Sequence, residues 1–118
     1  MKLNPDCIRD LLLRVEETTD FTTSATPSNF RPLLDKYSGN EILYHLKQCE
    51  QSGLIEIKFT AGYSFIIRDL TPAGHNFLAN IRQIDNWSKI KDRAKKVGSF
   101  SLDVLKSIAV DVITKKLN

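Results

Sequence analysis

The sequence predicts a mainly helical α+β fold: a winged helix-turn-helix with a two-stranded wing and two additional C-terminal helices. Three observations carry this. Ser38 to Ser52 joins a helix-start signal to apolar residues at helical spacing. Gly53 follows as a helix stop, and Leu54, Ile55, Ile57 and Phe59 continue as an apolar strand. Ala61-Gly62 then turns the chain into a second strand, after which Thr71-Pro72 opens another helix.

Taken in order, the chain begins with Asn4 as a cap and Pro5 as first helical residue, where its missing amide costs little. Ile8, Leu11, Leu12 and Val15 form the buried stripe of this helix, which should end near Glu17. Thr18 to Asn29 holds five threonines in twelve residues and reads as a loop, with room for a short extended piece. Phe30 to Tyr37 admits two readings. One is a short helix capped by Ser28 with Pro32 in its first turn; the other is an edge strand through Arg31, Leu33 and Asp35.

Ser38 and Glu41 fit a capping box, and Ile42, Leu43, Leu46 and Cys49 share one face of the helix that follows. The wing strands are expected at Leu54–Thr60 and Tyr63–Leu70, with Gly62 supplying a positive φ between them. The helix opened by Thr71-Pro72 should bury Phe77, Leu78, Ile81 and Ile84. Asp85 or Asn86 can cap the next, whose Trp87, Ile90, Ala94 and Val97 share a face. After Gly98-Ser99, a final helix from Ser101 to about Lys116 carries a wide apolar stripe of Leu102, Leu105, Ile108, Ala109, Val112 and Ile113. A stripe that wide is either clamped across the body or shared with a second subunit in a homodimer.

The bulk numbers suit one domain, a core at 1–84 with a helical extension at 85–118. At 118 residues, 42% hydrophobic and 26% charged, the chain can bury a core and is not disordered. No apolar run approaches the roughly 20 residues of a membrane span, and the first residues lack a signal-peptide pattern, so a cytoplasmic protein is expected. Two cysteines are too few for a disulfide scaffold and should be packed thiols. The net charge of +3 is uneven. Residues 1–37 carry five Lys/Arg against six Asp/Glu, residues 38–70 three against four, and residues 71–118 nine against four. Attraction to a polyanion therefore resides in the C-terminal part.

With the elements placed, a series of motifs stands out. Tyr44-His45-Leu46, Gly53-Leu54-Ile55 and Leu70-Thr71-Pro72-Ala73-Gly74-His75-Asn76-Phe77-Leu78 are joined by Asp6, Ile8, Arg9, Leu11, Leu12 and Glu16 at the front and Trp87 behind. In these the chain resembles a domain-of-unknown-function family of small bacterial proteins often met in phages and prophages; the likeness covers roughly residues 1–90. The Gly-Leu-Ile and Leu-Thr-x-x-Gly pieces also look like winged-helix regulators in general. The resemblance implies fold and a phage or prophage context rather than a chemistry.

For double-stranded DNA, the Ser38–Ser52 helix would turn Asn40, Glu41, Tyr44, Lys47, Gln48 and Gln51 toward the major groove. Asn and Gln can pair with adenine, and Lys can reach guanine or phosphate. Lys58 and Tyr63 of the wing could touch the backbone. Yet this helix offers one Lys beside Glu41 and Glu50, and phosphate contacts supply most non-specific affinity. The alternative is a face for a host or phage protein: the charge split favours it, whereas the resemblance favours DNA. Lys89, Lys91, Arg93, Lys95 and Lys96 form the strongest electrostatic feature, either tracking phosphates or keeping a surface solvated. His45, Cys49, His75 and Cys7 are zinc-ligand types, but nothing in the sequence brings them together, so neither a metal nor another cofactor is expected. Phosphate-loop, nucleophile-elbow, metalloprotease and dinucleotide signatures are missing, and no catalytic residue is assigned.

Overall fold

The computed structural model describes residues 1–117. Five α-helices and one antiparallel hairpin follow in the order α1 (Pro5–Thr18), α2 (Gly39–Gln51), β1 (Ile55–Thr60), β2 (Ser64–Leu70), α3 (Pro72–Ile81), α4 (Ile84–Val97) and α5 (Leu102–Leu117). The chain is thus mainly helical, α+β. The Asn4 side chain accepts the Asp6 amide at 3.0 Å, and α1 buries Cys7, Ile8, Leu11, Leu12 and Val15. It lies centrally, against α2, β2 and α3.

The stretch between α1 and α2 resolves the two readings of the sequence. Ala25 pairs with Ile67 of β2 through two hydrogen bonds of 2.8 Å, the short extended piece within the Thr-rich loop. Pro27–Asp35 is a 3-10 helix, not an edge strand. Its cap is Thr26 rather than Ser28: the Asn29 carboxamide accepts the Thr26 amide at 2.8 Å. Pro27 thereby takes the first helical position, and Pro32, which has no amide and would crowd an α-helical carbonyl four residues back, keeps the tighter winding.

The capping box of Ser38 and Glu41 forms as the sequence predicts, with both bonds at 3.1 Å. In the hairpin, Ile57 faces Ile67 and Phe59 faces Phe65, so the sheet order is the Ala25 bridge, β2, β1. Tyr63, expected as the first strand residue, sits in the turn instead. It follows Gly62 (φ 73°) with its own φ at +59°, and its side chain is 86% exposed.

Thr71 caps α3, accepting the Gly74 amide at 3.0 Å, and its own amide donates to Leu54 O at 3.0 Å. The helix comes so close to that carbonyl that a Cβ on Gly74 would stand 2.0 Å from it. Three expectations further on need correction. The α4 cap is Gln83, not Asp85 or Asn86, because α3 runs to Ile81 and the chain re-enters a helix almost at once. Ile84 therefore opens α4 on its outer side and is 61% exposed. Val97 ends that helix just before left-handed Gly98 and is 67% exposed. Trp87, Ile90 and Ala94 are buried as expected.

The apolar stripe of α5 packs on α4 and α3 of its own chain, burying Leu102, Leu105, Ile108, Ala109 and Val112, with Ile113 only half-buried. Buried apolar side chains from Cys7 to Val112 join in one cluster. Among the described residues no helix is long and apolar enough to cross a membrane.

Candidate nucleic-acid interface

Positions 40, 44, 47 and 51 recur at helical spacing on the face of α2 opposite Ile42, Leu46 and Cys49, which the core buries. Asn40, Lys47 and Gln51 are exposed; Tyr44 and Gln48 are half-buried at the edges, and Tyr44 stacks edge-on against His45 at 4.9 Å. The one cation of this face is engaged: Lys47 Nζ lies 2.8 Å from Glu50 and 5.3 Å over the Phe59 ring. Lys58 on β1 and Tyr63 in the turn are both exposed.

His45 is a structural residue. The Asn4 amide donates to its Nε2 at 2.8 Å, which requires that nitrogen to be bare, so Nδ1 carries the proton and donates to Glu41 O at 2.6 Å. The side chain is fully buried and joins the start of α1 to the middle of α2. His75 lies 3.7 Å from Asp69, near the strand end. Cys7 and Cys49 are buried thiols; burial pushes Cys7 up to about 12 and Cys49 further still. Among the described residues no cluster of three His, Cys, Asp or Glu side chains could hold a metal ion.

The residues that carry the family resemblance are largely occupied in holding the fold. Asp6 accepts the Trp87 indole at 2.8 Å and the Lys91 ammonium at 2.9 Å. Burial pushes the Asp6 carboxyl up, but those two donors outweigh it and hold it below the usual carboxylate range. Arg9 donates to the carbonyls of Ile81 and Arg82 at the end of α3, and Glu16 pairs with Arg82. Lys91, a candidate for phosphate contact, is thus largely neutralised by Asp6 and lies 5.7 Å over the Trp87 ring, whereas Lys95 is exposed.

Two features escaped the sequence reading. An open groove of about 560 Å³ between α4 and α5 is lined by Lys89, Asp92, Arg93, Lys96, Lys115 and Lys116. The spacing of 89, 93 and 96 on one helix face was legible; their meeting with the two α5 lysines depends on how the helices pair. The second is an apolar slot of about 170 Å³ between the 3-10 helix, α2 and the hairpin turn. Pro27, Phe30, Leu34, Leu43, Tyr63 and Phe65 line it, and they come from three separate stretches.

Residues 2–101 match the family model described as hypothetical protein (DUF2513). An uncharacterized protein of Haemophilus influenzae is 34% identical to the chain over 121 residues, spanning 99% of each. No solved structure matches. The chain belongs to the DUF2513 family.

Proposed function

We propose that this member of the DUF2513 family is a winged-helix DNA-binding regulator that presents α2 to the major groove, in the phage or prophage setting implied by the resemblance. The observation that carries the reading is the outward row Asn40, Tyr44, Lys47 and Gln51, flanked by the exposed turn of the β-hairpin. Further support comes from connectivity. A first helix, a bridge strand, a short helix, α2 and a hairpin follow one another, and the bridge strand pairs with the second hairpin strand. A winged helix uses this order.

In the proposed complex Asn40, Gln48 and Gln51 offer amide pairs to adenine edges. Lys47 exchanges Glu50 for a guanine or a phosphate. Lys58 and Tyr63 meet the flanking backbone, with Lys95 and, to a smaller degree, Lys91 adding positive potential. A homodimer through the C-terminal helices would use what those helices leave exposed, chiefly Ile84, Val97, Val110 and Leu117. A monomer by light scattering at micromolar concentration would dismiss that part.

The test is selection of bound sequences from a random duplex pool, followed by Lys47→Ala with Gln48→Ala. Affinity for the selected site should fall at least tenfold, since a good bidentate base contact discriminates by about 1–3 kcal/mol. Failure to enrich any sequence, or unchanged affinity in the double variant, would refute groove reading by α2. The second reading, a protein-binding module, rests on the apolar slot beside the same face. There, Leu34→Arg should abolish capture of a phage or host protein and leave DNA binding untouched.

A further inference from the structure

We propose that the groove between α4 and α5 is a cradle for the phosphate backbone of duplex DNA, separate from the sequence-reading face of α2; the inference rests on the reading that the protein binds DNA. Five cations line the groove: Lys89, Arg93 and Lys96 from α4, and Lys115 and Lys116 from α5. Two carboxylates stand against them. Asp92 lines the groove, and Asp111 holds Arg93 at 2.7 Å and Lys115 at 3.3 Å, which fixes both cations in place. Lys89, Lys96 and Lys116 stay exposed.

The shape of the charge selects the ligand. Positions 89, 93 and 96 run along one face of α4 over roughly 10 Å of helix axis, and over that rise along a duplex axis one strand advances by about three phosphates. The cations form a row beside an open groove rather than converging on a point, so a chain of phosphates suits them better than a single anion. Among the described residues no aromatic ring lines the groove, which therefore offers no stacking platform and suits backbone rather than bases. A basic amphipathic helix could instead lie on an anionic membrane, but the apolar residues that α4 leaves exposed, Ile84 and Val97, sit at its two ends and form no continuous face to insert. Its Trp87, Ile90 and Ala94 are buried against the rest of the chain.

This divides the work between two surfaces. The cradle supplies salt-sensitive, sequence-independent affinity, and α2, whose single cation is tied to Glu50, supplies discrimination.

The experiment is fluorescence-anisotropy titration of a mixed-sequence duplex at stepped salt, with the whole chain. Wild type should bind with a steep salt slope. Lys89→Gln with Lys96→Gln and Lys116→Gln should flatten that slope by about 2 to 3, near 0.9 per lost phosphate contact, and weaken low-salt binding at least a hundredfold. Lys47→Ala with Gln48→Ala removes one cation from α2 and should flatten the mixed-sequence slope by at most about 0.9, a third of the triple variant's effect. Trp87 fluorescence of each variant reports whether the fold is kept. Duplex binding by wild type with an unchanged slope in the triple variant would overturn the cradle and leave the α2 reading standing. No duplex binding by wild type at low salt would overturn both. Binding to vesicles of anionic phospholipid in place of the duplex would overturn the assignment to nucleic acid.

Discussion

Replacing Gly74 by alanine tests the closest approach in the fold. The added Cβ would fall 2.0 Å from Leu54 O and 3.0 Å from its carbonyl carbon, whereas real Cβ contacts essentially never come under 3.0 Å. The obstacle is backbone, so α3 or the start of the hairpin must shift by about an ångström, a strain of the overpacking kind worth about 1–3 kcal/mol. The same carbonyl accepts the Thr71 amide at 3.0 Å, and weakening that bond adds about 1 kcal/mol. Alanine's better helix propensity returns about 1 kcal/mol. The net loss is about 2 kcal/mol, a fall in Tm of roughly 8 °C for a domain of this size. Gly39→Ala is the matched control. It lies at the first position of α2 with nothing within 4 Å, and should gain about 0.5 kcal/mol. Thermal unfolding by circular dichroism and urea titration followed at Trp87 measure both. A Gly74→Ala chain as stable as wild type would refute the claim that this helix needs a glycine to seat against the hairpin.

Two other outcomes follow from buried groups. His45→Leu leaves the Asn4 amide without its acceptor and should cost about 2 kcal/mol; long-range nitrogen–proton NMR of wild type should find the proton on Nδ1, and a proton on Nε2 would contradict the assignment. The thiols of Cys7 and Cys49 hold their protons in the folded chain well above the ordinary value of 9.0, because burial disfavours the thiolate. The unfolded chain releases them first, so their contribution is complete below pH 9 and is lost as pH rises toward 12. Urea midpoints should fall over that range, less so in Cys7→Ala, and a thiol reagent at pH 8 should titrate both cysteines only after unfolding.

Local signals were strong wherever one residue type answers to one backbone need. Ser38 with Glu41, Thr71-Pro72, and Gly62 each satisfied amides or a positive φ within four residues, and the structure uses them as the sequence predicts. The misreadings share a different cause. Ser28 was as good a cap as Thr26 until Asn29 turned back to close it, and Asp85 and Asn86 lost the cap of α4 because that helix begins at Ile84, hard upon the end of α3 at Ile81. Those choices are made by packing between distant segments, which spacing does not carry. The candidate interface divides the same way. The exposed row of α2 is periodic and was visible; the neutralisation of Lys91 by Asp6 joins residues 85 positions apart and was not.

The first helix also sets a timetable for the chain's birth. Its hydrogen-bonding partners arrive late: His45 lies 41 residues beyond Asn4, Ile81 lies 72 beyond Arg9, and Trp87 lies 81 beyond Asp6. At a synthesis rate of about 5–20 residues per second, Asp6 of α1 leaves the ribosome roughly 4 to 16 seconds before the indole that fastens it. Throughout that interval the Ile8, Leu11, Leu12 and Val15 stripe has no complete cover. A ribosome pausing before codon 87 would prolong the exposure, so codon choice between 45 and 87 bears on the yield of folded protein.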